Sequence, residues 1–213
     1  MRTFIAGLYP IGYDTGFGGP RVRQLEFFFD FSSPFAYLAA TQVVPLSRRT
    51  GVQLVLRPLL LGALFRAVGQ VDVPIAAMSE VKRQYTLRDL GRWSRWWGVP
   101  LVWPVAFPLR TVLPLRVFLG QPTPERMLTL FRAAWAEGED IGQAGVLAGL
   151  GVAAEELAAA DQQRAPLIEA TAFAEAAGVF GVPSFRVDGG EVIWGQDRLD
   201  MVERACRGER VEP

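Results

Sequence analysis

The chain contains no histidine and a single cysteine among its 213 residues. Without histidine, neither a Ser-His-Asp nor a Cys-His catalytic arrangement can form within one chain. The commonest metal ligand is missing too, so no metal site is expected. Cys206 stands alone near the C-terminus. It cannot close an internal disulfide or a CxxC couple, so the chain has no redox pair of its own. The lack of disulfides fits a reducing, cytoplasmic setting. Net charge is also missing: 22 Lys and Arg balance 22 Asp and Glu. With no basic tract, nucleic acid is not an expected partner. No apolar run reaches the roughly 20 residues of a membrane span, so no membrane partner is expected. The opening "MRTFIAGLYPIGYDTGFGGP" is broken by Pro10 and several glycines and makes a poor signal peptide. Residues 1–23 read as a glycine-rich N-terminal extension.

What is present is apolar and strongly patterned. Half the residues are hydrophobic, enough for a sizeable buried core. "QLEFFFDF", Gln24 to Phe31, reads as a buried central strand. Ser32, Ser33 and Pro34 follow, favoured residues for a helix cap and a first helical position. A helix should therefore run to Thr50 and Gly51, and "VQLVLRP" should return as a second, parallel strand. From Leu61 to about Gly178 the pattern is almost wholly helical. Helices are expected in "MSEVKRQYTLRDLGRWSRWW", in "TPERMLTLFRAAWAEG", over Ala153–Ala160 and over Arg164–Ala177. A proline-punctuated loop, "VPLVWPVAFPLRTVLP", lies between them. "VPSFRVDGGEVIWG" reads as a β-hairpin, and "QDRLDMVERAC" as a last helix with Asp197 in its first turn. The simplest packing is α/β: one mixed four-stranded sheet, with an all-helical block inserted as a second lobe. The expected division is 24–60 with 178–213 for the sheet domain and 61–177 for the insert.

Three elements are candidates for chemistry, and each also has a purely structural reading. Ser33 can be an ordinary helix cap. It also sits at the carboxyl end of a strand and at a helix N-terminus, where ligands and anions bind in open α/β sheets. With no histidine as its base it is a poor nucleophile, but its hydroxyl can donate to a thiolate. The Val182-Pro183 pair in "GVPSF" can be an edge-strand proline, or a cis bond that leaves the preceding backbone free to pair with an extended peptide. Asp197 in "WGQDRL" can complement a helix dipole or hold a ligand's ammonium. Trp93, Trp96 and Trp97, at helical spacing, read as packing. The arginines beside them read as a solvated or ion-paired face.

Taken together and in this order, "FFFDFSSPFAYLA", "LRPLLLGALFRAVG", "RWWGVPLVWP" and "FGVPSFRVDGGEVIWGQDRLDMVE" resemble the 2-hydroxychromene-2-carboxylate isomerase family. That family is allied to kappa-class glutathione transferases and to DsbA-type proteins. The resemblance implies a thioredoxin-like domain with an inserted helical domain, a homodimer, and glutathione as cofactor. It places the catalytic serine at Ser33. Val182 and Pro183 fall at the cysteinyl part of glutathione, and Trp194, Gly195, Gln196 and Asp197 at its γ-glutamyl end. The loop carrying Trp103 and Phe107 falls where the substrate cleft is lined. It has Ala106, Phe107 and Pro108 where the best-studied isomerase pattern is asparagine-rich.

The implied reaction is thiolate addition to a small aromatic substrate, ring opening, rotation and elimination. Since the sulfur comes from glutathione, the missing histidine and cysteines are no handicap. Glutathione conjugation to electrophiles is the nearest alternative, and a binding module without catalysis is an alternative of another class. Dithiol exchange is weakest, because Ser33 and Ala36 stand where two cysteines would be.

Overall fold

The computed structural model describes residues 22–71 and 73–209. The expected N-terminal extension, apart from Val22 and Arg23, lies outside the described residues. The chain begins with β1 (Gln24–Phe29), α1 (Pro34–Thr50) and β2 (Gln53–Pro58). Eight α-helices follow among the described residues before the next strand: α2 (Leu61–Ala67), α3 (Pro74–Ala77), α4 (Glu80–Trp96), α5 (Val112–Gly120), α6 (Pro124–Trp135), α7 (Ala144–Gly149) and α8 (Ala154–Ala159) precede a 3-10 turn (Ala160–Gln163), and α9 (Arg164–Ala176) leads out of it. Strands β3 (Ser184–Val187) and β4 (Ile193–Trp194), a 3-10 turn (Gln196–Arg198) and α10 (Leu199–Cys206) complete it. The order is β-α-β, a helical segment, then β-β-α.

The sheet order is β2-β1-β3-β4, with β1 parallel to β2 and antiparallel to β3. β1 alternates its side chains between two covered faces. Phe27 and Phe29 stack on one face, with Phe185 of β3 against Phe27 and with Phe118 and Phe131 of the helical segment against Phe29. On the other face Phe28 stacks on Phe173 of α9. There the buried Glu26 accepts from Arg57 of β2 at 2.8 Å and from Arg186 of β3 at 2.5 Å. Burying one carboxylate between two guanidiniums meets the need that a charge in a low-dielectric core be paired.

Local chemistry explains the element ends. Ser33 caps α1: its Oγ accepts the Ala36 N–H at 3.2 Å, with Pro34 in the first turn. α1 continues through Pro45 and stops at Gly51, whose φ of 70° suits a left-handed cap. Thr123 caps α6 in the same way. Asp188 and Gly189 both take positive φ, and the Gly190 N–H donates to Val187 O at 2.9 Å, closing the tight hairpin turn that an Asp-Gly pair favours.

Three details differ from the sequence reading. Trp93 and Trp97 do pack, with ring centroids 4.9 Å apart, but Trp96 is 80% exposed. At about 100° per residue, Trp93 and Trp97 lie about 40° apart round the helix, while Trp96 lies about 100° from Trp97, at the edge of that face. The end of the proline-punctuated segment is helical, because Val112–Gly120 accommodates Pro114 within its first turn. Asp197 lies in the 3-10 turn ahead of α10, which starts at Leu199.

Candidate active site

β1 ends at Phe29, and the chain turns at once through Asp30–Ser33 into α1. The turn is tied by the Ser33 N–H donating to Asp30 O at 3.1 Å. It presents Ser33 at the carboxyl end of the central strand and at the N-terminus of a 17-residue helix. No acidic side chain occupies the first turn of that helix. Its positive end is therefore not offset from within, and it favours an anion in front of it. The Ser33 O–H points to Val182 O at 3.4 Å. That is long for an O–H···O bond, so the hydroxyl can turn to a better acceptor at little cost.

Val182 lies opposite, and its bond to Pro183 is cis. Among the described residues the Val182 N–H has no acceptor. The Pro183 carbonyl is used locally, accepting the Gly195 N–H at 3.0 Å. Gly195 takes a φ of +110°. A Cβ there would sit 2.4 Å from Asp197 Oδ1 and 2.8 Å from Arg198 Nη1. Only glycine allows this close approach of backbone and carboxylate. Arg198 holds the segment by donating to Trp194 O at 3.0 Å and to Asp197 Oδ1 at 2.9 Å. Asp197 remains partly exposed, while Gln196 is buried against the turn.

One cavity of about 550 Å3 joins these pieces. Every residue expected at the site lines it: Ser33, Val182, Pro183, Trp194, Gly195, Gln196, Asp197, Trp103 and Phe107. Trp103 and Phe107 face each other at 4.7 Å and both rest on the buried Trp135 of α6. Trp135 in turn donates from Nε1 to Phe31 O at 2.8 Å, so the aromatic wall and the serine turn share one anchor.

Sequence and fold match known proteins. Residues 24–207 fit the DSBA-like thioredoxin domain model. A 2-hydroxychromene-2-carboxylate isomerase from Sphingobium xenophagum is 30% identical over 190 residues, covering 85% of this chain and 96% of that protein. The solved structure of a 2-hydroxychromene-2-carboxylate isomerase superposes with a TM-score of 0.75 at 29% identity, covering 85% of this chain and 93% of that one. The chain belongs to the 2-hydroxychromene-2-carboxylate isomerase family. Glutathione S-transferase kappa 1 from Rattus norvegicus is a further relative, 27% identical over 86% of this chain and 91% of its own.

Within this member of the family, two groups of cavity residues escaped the sequence reading. Lys82 of α4 is the only lysine in the chain, and it lines the cavity with Thr86 and Asp89 of the same helix. Its signal was its solitude in an arginine-rich sequence. The other group is Leu61, Phe65, Ile75 and Met78, which give the isomerase-family cavity an apolar floor from α2, α3 and the segment after it. Cys206 plays no part. It is buried in α10, and burial pushes its thiol up to about 11, far from the cavity's chemistry.

Proposed function

We propose that the chain is a glutathione-dependent isomerase acting on 2-hydroxychromene-2-carboxylate or a related intermediate of aromatic breakdown. The observation that carries this reading is the convergence of four complementary groups on one cavity. They are the Ser33 hydroxyl at an open helix N-terminus, the unengaged Val182 N–H, the Asp197 carboxylate and Lys82. These donors and acceptors fit glutathione, a tripeptide with a central thiol, an amino-acid head group and a terminal carboxylate.

Glutathione, if bound, would supply a thiolate for reversible addition to the substrate's conjugated carbon: the ring C–O bond would open, a carbon–carbon bond rotate, and elimination return the thiol unchanged. The chain's part is to hold and polarise. The Ser33 O–H, released from its long contact to Val182 O, donates to the sulfur. Together with the α1 N-terminus it favours the thiolate over a thiol whose free pKa is near 8.5. The Val182 N–H pairs with the cysteinyl backbone as an added strand would. Asp197 takes the ammonium, with Trp194, Gly195 and Gln196 shaping that end, and Lys82 takes the terminal carboxylate. Trp103 and Phe107 stack against the aromatic substrate and keep water from it.

The test is a titration of glutathione into wild type and Ser33→Ala, read by calorimetry and by ultraviolet thiolate absorbance. Ser33→Ala should bind with similar affinity, while its bound thiol titrates higher by about one unit, the equivalent of 1.4 kcal/mol. Equal thiolate fractions would remove Ser33 from the reaction. Assay on a chromene carboxylate then separates isomerisation from conjugation. The apolar Ala106–Phe107–Pro108 stretch favours conjugation to electrophiles as the second reading, in which a generic aryl halide is turned over and the chromene is not. Family membership also suggests a cytoplasmic homodimer, which sedimentation would measure.

A further inference from the structure

Asp30, inside the turn between β1 and α1, lies outside the cavity and is 1% exposed. A carboxyl this deep in an apolar core needs a structural partner or a purpose. Its hydrogen-bond partners and near neighbours come from three different walls of the site. Its Oδ1 accepts the Ser32 N–H at 2.9 Å, and its Oδ2 accepts the Leu61 N–H at 2.7 Å. The hydroxyls of Thr111 and Ser32 lie close enough to favour its ionised form.

Each of these residues stands at the start of a helix. Ser32 precedes the cap of α1, Leu61 is the first residue of α2, and Thr111 occupies the cap position of α5. Neither α2 nor α5 has a side-chain cap of its own. The first N–H groups of a helix need an acceptor from outside it. For α2 that acceptor is Asp30. Thr111, the residue type that would normally cap α5, makes no cap bond, and its hydroxyl lies near Asp30. One carboxyl thus joins the serine turn to the apolar floor that begins at Leu61, beside the segment that follows Phe107 and Pro108.

We propose that Asp30 is the positioning residue of this site: it fixes the Ser33 hydroxyl relative to the floor and the aromatic wall. The role rests on the reading of Ser33 as the group facing a bound thiolate. Asparagine cannot replace it. One amide oxygen can accept from Ser32 or from Leu61, and whichever it serves, the NH2 group faces the other N–H, two donors without an acceptor.

Two measurements on Asp30→Asn test this. In the glutathione-free protein, amide hydrogen exchange should speed up at Ser32, Ser33 and Leu61 while β1 and α6 keep their protection. With glutathione bound, affinity should hold within about threefold while kcat and the thiolate fraction fall about tenfold, the equivalent of one lost hydrogen bond. General destabilisation would not produce that split. Unchanged exchange at Ser32, Ser33 and Leu61, or wild-type kcat with a wild-type thiolate fraction, overturns the proposal. If wild type does not bind glutathione, the functional reading fails and the exchange data alone decide the positioning role. Should Asp30→Asn not fold, Asp30→Glu keeps the carboxyl but moves both of its oxygens; faster exchange at Ser32 and Leu61 supports the role, and an unchanged pattern overturns it.

Discussion

Gly195 is the residue on which the head-group end of the site is most sensitive. Its positive φ and the crowding by Asp197 and Arg198 leave no room for a methyl group. Gly195→Ala should displace the Asp197 carboxylate and weaken glutathione binding by about tenfold or more, with the circular dichroism spectrum unchanged. Wild-type affinity in calorimetry would show that Asp197 does not hold the ligand. Asp30 gives a pH signature of its own. Burial raises its carboxyl above the ordinary 3.8, with hydrogen bonds from Leu61 and Ser32 working against that rise. The unfolded chain therefore releases this proton first as pH climbs. The stability tied to the protonated form is full below pH 3.8 and declines as pH rises through the folded value. The difference in unfolding free energy between wild type and Asp30→Asn should shift against wild type from about pH 4 upward, as denaturant titrations at several pH values would show. A difference moving the other way would mean a lowered carboxyl. At this scale the sequence was informative about Ser33, Val182, Pro183 and the Trp194–Asp197 segment, which sit on short local motifs. Asp30 was in plain view beside Ser33, yet its partner at position 61 and its neighbour at position 111 are distant in the chain. Lys82 was hidden for the same reason.

Among the elements, α6 does most to hold the site together. Its last residue, Trp135, is fully buried, anchors Trp103 and Phe107, and donates to Phe31 O. Trp135→Phe keeps much of the packing but leaves that buried carbonyl without its donor. It should cost about 1–3 kcal/mol in denaturant unfolding. A loss under half a kilocalorie would mean that the carbonyl finds another donor or water. Elements with strong end signals were legible in advance: the Ser33 and Thr123 caps, the Gly51 stop and the Asp-Gly turn each act through neighbours in sequence. The short helices α2, α3 and α7 were legible only as part of a helical segment, and α5 was assigned in part to loop. They lack side-chain caps or begin at prolines, and their positions are set by what they pack against.

For the whole molecule, the sheet and the helices between β2 and β3 share one continuous core. Phe29 and Phe31 of the sheet side interlock with Phe118 and Phe131 of the helical side, edge to face. The expectation of an inserted second lobe followed from chain order, which says where a segment is inserted but not how deeply it is buried. Aromatic contacts across the junction predict one cooperative unfolding transition, with far-ultraviolet dichroism and tryptophan fluorescence coinciding. Two separated transitions would mean that the helical segment unfolds as its own unit.

The solitary Lys82 makes the cavity chemically addressable. Apart from the N-terminal amine, an acylating dye finds one primary amine in the chain, and it lines the cavity. A single such label would turn the protein into its own occupancy sensor. Ligands filling that wall should slow the tagging of Lys82 and leave that of the terminus unchanged, so a mixture of candidate substrates could be ranked by peptide mass spectrometry before any turnover assay exists.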